Sequence, residues 1–382
     1  MREPVVTRSL FVLVFATVFS LHAEESLPLK ISPADRWLSF RGSLEMTGQS
    51  EAKLPADLEL LWSKKFDDSF EATAAVVDGE IYLPSMLGKC YALSLKDGAE
   101  KWLFATPDED PAKSSPCVAG SVIVYGDDVG AIRGLDRATG KELWKFEAQS
   151  EVICSPTFIE GKVLIGAYDN FLYCLEPATG KVVWKVETQG PVHCSPSYLG
   201  GSVAVAGCDG FLRFVSVADG KQSEPIEIGG NIASTPAVNG SRLFFGTMNE
   251  SVVGVDWKQK KVVWEYRNQG RSFPFYASPA VYEDLVIIGG RDKSVHALSQ
   301  SDGSERWSYR AKARVESSAV VVGDRVYVGS HDGNVYGFEA KTGKKVWEYL
   351  AGGAVIGSPA VANGKLVISN SEGSVFCFGQ KE

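Results

Sequence analysis

The chain has 382 residues, a formal net charge of −8, 45% apolar and 23% charged side chains, and 4 His, which is the composition of a folded globular protein and excludes a disordered chain or a polytopic membrane one. With 39 Lys and Arg against 47 Asp and Glu, and no long basic run, it lacks the electrostatic footprint of a phosphate-backbone binder, so nucleic acid is not an expected partner. The 39 Gly and 9 Trp, with no helix-length apolar periodicity, point to one large all-β body.

At the N-terminus, Arg2 and Arg8 flank an apolar stretch from Leu10 to Leu21, and His22-Ala23-Glu24-Glu25 follows it. This is the n-region, h-region and cleavage-site order of a signal peptide, residues 1–23, and it is too short to cross ~30 Å of hydrocarbon. The expected location is therefore periplasmic or secreted, with no membrane span. Residues 24–57 carry Trp37-Leu-Ser-Phe-Arg41-Gly42 and Thr47-Gly48 before the first clear strand, and they read as a strap across one face.

From residue 58 to 379 the chain repeats itself. Trp62, Trp102, Trp144, Trp184, Trp264, Trp307 and Trp347 recur at about 40-residue spacing, with one tooth missing near Gln222 to Pro225. Most follow a Gly turn, as in Thr139-Gly140-Lys141-Glu-Leu-Trp144 and Thr342-Gly343-Lys344-Lys-Val-Trp347. Upstream in each unit lie a Ser-Pro or its equivalent (Ser115-Pro116, Ser155-Pro156, Ser195-Pro196, Thr235-Pro236, Ser278-Pro279, Ser358-Pro359), an apolar run, an Asp-Gly type turn and an alternating run. Four short strands per unit at this period are one antiparallel blade of a propeller. The last unit supplies only three strands, and Leu58 to Phe66 is a Trp strand with no unit before it. The expectation is an eight-bladed β-propeller of four-stranded blades, closed by pairing of the N-terminal strand with the three C-terminal strands, with 380–382 as a tail.

The recurring Trp read as blade-docking residues whose indole N–H reaches a carbonyl on the neighbouring blade. The residues entering each innermost strand converge on the axis: Glu71, Lys113, Glu151, His193, Asn231, Tyr276, Arg314 and Glu316 form a polar ring at the channel mouth, either a ligand-binding site or a solvated opening. Cys154 and Cys194 hold the same place in consecutive units, where a disulfide competes with the plainer reading of two small buried side chains. His193, His296 and His331 fall in three different units without metal-ligand spacing, and no nucleophile elbow precedes a helix, so no catalytic residue is assigned.

The phrases Ser-Pro-Ala-Val, Val326-Tyr-Val-Gly329, Asp332-Gly-Asn-Val-Tyr336 and Lys341-Thr-Gly-Lys-Lys-Val-Trp347 resemble the pyrroloquinoline-quinone (PQQ) type propeller repeat, shared by quinoprotein dehydrogenases and outer-membrane-protein assembly factors of the BamB type. The dehydrogenase branch implies PQQ with calcium in the axial channel, long inter-blade insertions and a vicinal Cys-Cys pair, and this chain has neither of the last two. The resemblance therefore implies a BamB-like, non-enzymatic binding scaffold with an envelope protein partner and no cofactor, a monomer or a subunit of a complex. A PQQ-dependent dehydrogenase is the alternative.

Overall fold

The computed structural model describes residues 31–381; the signal-peptide stretch and residues 24–30 lie outside the described part. Eight sheets stand in sequence order around one axis. Blade 1 is built from Ala75–Val77, Glu80–Pro84, Lys89–Ser94 and Glu100–Ala105, blade 2 starts at Cys117–Ala119, blade 3 at Thr157–Ile159 and blade 4 at Ser197–Tyr198. Blades 5, 6, 7 and 8 start at Ala237–Asn239, Ala280–Tyr282, Val320–Val322 and Ala360–Ala362. Each repeats the same four-strand antiparallel meander from the axis outward, and blade 7 gains a fifth, parallel strand, Gln49–Ser50 of the lead-in, beside Val320–Val322.

Burial explains why the strands read as they do. The three inner strands of a blade are sandwiched between two neighbours, so runs such as Val122–Gly126 and Leu285–Gly289 are buried throughout. The outer strand has one face on the next blade and one in water, and Glu305–Arg310 alternates between exposed and half-buried. Blade 8 takes its outer strand from the other end of the sequence: Glu59–Lys65 pairs antiparallel with Ser374–Gly379, Leu60 opposite Phe378 and Trp62 opposite Cys377. No sheet of the ring is left open, as the sequence pattern required.

Each recurring indole spans a seam between blades. In seven seams the Nε1–H donates to a carbonyl of the next blade: Trp62 to Leu95 (3.1 Å), Trp102 to Arg137 (2.9 Å), Trp144 to Pro177 (2.7 Å), Trp184 to Val217 (3.1 Å), Trp264 to Gln300 (2.9 Å), Trp307 to Ala340 (2.9 Å) and Trp347 to Leu58 (2.9 Å). In six of these seams, all but that of Trp347, the ring lies over the turn glycine of that blade; at Gly140 (φ 72°) a Cβ would fall 2.4 Å from Trp102. Glycine supplies both the left-handed turn and the space for the indole.

The lead-in from residue 31 runs around the ring on one face. Asn363 of blade 8 donates to Ala34 O, Trp37 bridges Val76 of blade 1, and Val118 of blade 2 donates to Leu38 O. Blades 4 to 7 follow, through Tyr198 to Leu44 O, Val238 to Glu45 O, Val281 to Thr47 O and Val321 to Gly48 O, and Ser50 Oγ returns to Val361 O of blade 8. At the axis the strap turns through Ser39, Phe40 and Arg41 into Gly42, and the buried Arg41 guanidinium donates to Pro279 O (3.0 Å) and Ala319 O (2.6 Å).

Candidate functional site

The axis is lined by one hydroxyl from every blade. Thr73, Ser115, Ser155, Ser195, Thr235, Ser278, Ser318 and Ser358 each donate a backbone N–H to the side-chain oxygen of the next member, and Ser358 N closes the circle on Thr73 Oγ1. These eight bonds run from 2.8 to 3.2 Å. Because each hydroxyl oxygen accepts from an amide, its own O–H is left to donate elsewhere. At six of the eight positions a proline follows the hydroxyl residue and ends the amide ladder just before the innermost strand, while Ala74 and Ala319 follow Thr73 and Ser318.

A second belt lies one residue earlier. Ser114 Oγ donates to Cys154 O (2.9 Å), Cys154 Sγ to Cys194 O (3.3 Å), Cys194 Sγ to Ser234 O (3.2 Å) and Ser317 Oγ to Gly357 O (3.1 Å). Cys154 and Cys194 are therefore free thiols that stand in for serine as inter-blade donors, and the other five cysteines are free as well. Burial pushes the Cys154 thiol up to about 12.

Two residues before each hydroxyl comes the third layer. A cavity of about 210 Å³ is lined by the hydroxyl belt together with Glu71, Lys113, Ile153, His193, Ala233, Tyr276, Glu316 and Ile356, and Phe40 of the strap forms its floor. The axis thus holds a cup lined by polar groups from the blades and by Phe40 of the strap. Of the expected polar ring, Glu71, Lys113, His193, Tyr276 and Glu316 line it. Glu151, Asn231 and Arg314 do not: they sit four residues before their hydroxyl, are exposed, and give their place to Ile153, Ala233 and Glu316.

Charge in the cup is unevenly compensated. Glu316 faces Arg291, His331 (2.7 Å) and Arg314 (3.2 Å), and although burial opposes its charge, hydrogen bonds from His331 and Arg291 hold its carboxyl at about 2. Burial also disfavours the Lys113 ammonium, but its bond to Asp128 and the nearby carboxylates of Glu71 and Glu151 raise it above the usual lysine value. Burial lowers the His193 imidazole, whose Nδ1 meets the Tyr168 hydroxyl at 2.7 Å. Tyr276 lies under the Arg291 guanidinium, 4.1 Å from ring centroid to Cζ. Among the described residues Glu71 makes no ion pair. The cup thus offers hydroxyl donors, an ammonium and the Glu71 carboxylate, which has no direct ion-pair partner among the described residues, to a small oxygen-rich ligand.

Those groups suit the quinone and carboxylate oxygens of PQQ, which accept hydrogen bonds. They do not suit calcium, since among the described residues no three His, Cys, Asp or Glu side chains converge as a cation site. Among the same residues no helix is long and apolar enough to cross a membrane.

The family described as outer membrane protein assembly factor BamB matches residues 54–145, 128–223 and 225–382. A polyvinylalcohol dehydrogenase of Pseudomonas sp is 28% identical over 154 residues, which cover 36% of this chain and 24% of that protein. The chain thus aligns with about a quarter of the length of the curated relatives it matches. Among solved structures, BamB from Moraxella catarrhalis superposes with a TM-score of 0.72 at 21% identity, covering 85% of this chain and 98% of that one. The quinohemoprotein alcohol dehydrogenase from Comamonas testosteroni gives 0.77 at 14% identity, covering 92% and 82%. At these identities the structures establish the fold. The sequence matches overturn the expectation of a non-enzymatic scaffold: dehydrogenases recur among the curated relatives and align over longer stretches than the assembly factor, which covers 22% of the chain.

Proposed function

We propose, from the premise that the chain belongs to the PQQ-type propeller family described as outer membrane protein assembly factor BamB, that it is an extracytoplasmic oxidoreductase of the quinoprotein dehydrogenase kind, with a quinone and a small alcohol at the axial cup. The observation that carries this reading is the cup itself, an axial cavity lined by a closed belt of eight hydroxyls and by the Glu71 carboxylate. The recurrence of polyvinylalcohol and quinohemoprotein alcohol dehydrogenases among the relatives supports it.

When bound, the quinone supplies the acceptor for the two electrons and the hydrogen that leave the alcohol carbon. The residues of the chain do the rest. The hydroxyl belt and the Lys113 ammonium bind and orient the oxygens of the ligand, and the eight-membered belt is held rigid by its own amide bonds. Phe40 closes the floor and excludes water from that side. Glu71 is the general base that takes the alcohol hydroxyl proton, because Glu316 is held too acidic by its cationic neighbours to do so.

A thermal-shift titration of the chain lacking residues 1–23 with PQQ, with and without Ca²⁺, tests the reading, because ligand at about 100 times its Kd stabilises the native state by ~2.7 kcal/mol. A saturable rise in Tm is expected, and Glu71→Gln should keep that rise while lowering dye-linked alcohol oxidation by ~100-fold or more. A folded sample with no shift overturns the proposal.

A further inference from the structure

The connections of blades 5 to 7 beside the cup concentrate cations in a chain whose net charge is −8. Arg271 lies between blades 5 and 6, Arg291 and Lys293 lie in the turn between Leu285–Gly289 and Ser294–Ser299 of blade 6, and Arg310, Lys312 and Arg314 lead from blade 6 into blade 7. Hydrogen bonds tie these segments into one surface: Asn268 Nδ2 donates to Asp292 (2.6 Å), Arg291 N to Pro274 O (3.4 Å), Ala311 N to Lys293 O (2.8 Å), and His331 N of blade 7 to Arg314 O (3.0 Å). The surface borders the cup through Arg291, which lies over the ring of Tyr276 and pairs with Glu316, two residues that line it.

Nearby carboxylates do not cancel this charge. Glu316 is shared by Arg291, Arg314 and His331. Asp292 is buried and accepts from His296 and Asn268, while Asp332 accepts from the Tyr336 hydroxyl, the Asn334 amide and the backbone N–H of Lys312. Among the described residues none of Arg271, Lys293, Arg310 and Lys312 is in an ion pair. Arg310, Lys312 and Arg314 stand eight, six and four residues before the axial hydroxyl Ser318, and the same three places before Ser155 hold Glu147, Gln149 and Glu151. Those two connections lie four blades apart in a ring of eight, on opposite sides of the axis. The same backbone framework therefore carries a basic arc on one side of the cup and an acidic one on the other, a field set by the choice of side chains.

Lys293, Arg310 and Lys312 do not line the cup, so they meet a ligand that extends beyond it. Phe273, 48% exposed between Arg271 and Pro274, adds a flat apolar face to the same arc. We propose that the arc is the binding surface of an acidic sugar oligomer, a chain with a carboxylate on each ring, whose end reaches the cup. The carboxylates meet the arginine forks and the ammonium groups, the C–H face of one ring packs on Phe273, and the hydroxyls of the terminal sugar bond to the hydroxyl belt. Among polyanions a sugar acid is the one whose hydroxyls suit that belt. That the sugar is also the alcohol oxidised at the cup rests on the oxidoreductase reading above, whereas the arc is measured without quinone.

The test is isothermal titration of the chain lacking residues 1–23, without quinone, with trigalacturonate, with its methyl ester and with tripolyphosphate. Saturable binding of the acid is expected, about 10-fold or more tighter than that of the ester and weaker as salt is raised to about 0.15 M. Lys293→Glu/Lys312→Glu changes two exposed side chains and should weaken the acid about 10-fold or more with Tm unchanged, whereas Gln149→Glu, at the place of Lys312 across the axis, should change it less than about 2-fold. Absence of saturable binding of the acid by the folded parent chain overturns the site, as does equal binding of acid and ester or a loss in Gln149→Glu as large as in the lysine variant. Tripolyphosphate bound as tightly as trigalacturonate overturns the sugar assignment. In the PQQ-loaded protein, oxidation of a small neutral alcohol but not of trigalacturonate overturns the sugar as substrate, and oxidation of neither overturns the oxidoreductase reading alone.

Discussion

Ser195 accepts an N–H from Ser155 across one seam and sends its own N–H to Thr235 across the next, at 3.2 and 3.0 Å. Ser195→Ala removes an acceptor and leaves a buried amide unpaired, a loss of ~1–3 kcal/mol measurable by urea unfolding. The hydroxyls were visible in the sequence as part of the Ser-Pro phrase, but their role was not, since proline drew attention to the turn and nothing local says that residues about 40 apart bond to one another. The polar ring was legible only where the count back from the hydroxyl was two, as at Glu71, Lys113, His193, Tyr276 and Glu316. Two residues further out the chain has already left the axis, so Glu151→Ala and Arg314→Ala should each change stability by no more than ~0.5 kcal/mol in the same assay.

Among elements, the outer strand is the most informative and the most exposed to damage. Its tryptophan is preceded by a register shift, as between Gly337 and Phe338 opposite Trp347, and that bulge swings the indole out of the blade toward its neighbour. Trp62 holds the seam between the closing strand and blade 1, so Trp62→Ala should cost ~3 kcal/mol by thermal or urea unfolding. Glu224→Ala, at the seam that never had an indole, should cost less than ~1 kcal/mol, because an exposed ion pair is all it removes. Blade number and closure were readable from these strands since one large side chain marked each unit. Phe214, which stands at that seam where the other blades have a small residue, was not, because its meaning depends on a residue missing ten positions later.

At the scale of the whole molecule, stability depends on pH through a network that joins blades 5 and 6. His296 is buried between Asp292 (2.9 Å) and Glu305 (2.8 Å), and the Tyr266 hydroxyl of blade 5 donates to Glu305 (2.6 Å) while Asn268 donates to Asp292 (2.6 Å). Burial works against the imidazolium, but the two carboxylates raise it from 6.5 to about 9, and the bond from His296 brings Glu305 down to about 2. The histidine contribution is present in full below pH 6.5 and fades as pH climbs through 9. That of Glu305 is present above its unfolded value and fades as pH falls toward 2. Tm should therefore be flat between about pH 4.5 and 6.5 and decline on both sides, and in His296→Gln the decline above pH 6.5 should flatten.

The path of the strap has no periodic signature, so its contacts with seven blades came only from the structure. Those contacts set an order of events. The strap is made first, yet some of its partners lie 311 residues or more downstream, as from Ser50 to Val361 and from Ala34 to Asn363, and they exist as a surface only when the ring is complete. Loop closure over such separations is slow, and the strap has nothing to hold until it is finished. It therefore belongs to the end of folding and contributes little to the rate of assembly. Its effect falls on the reverse rate: a blade cannot part from its neighbour while one continuous segment is bonded to both, so the strap is a brake on opening whose removal would shorten the lifetime of the native state more than it would delay its formation.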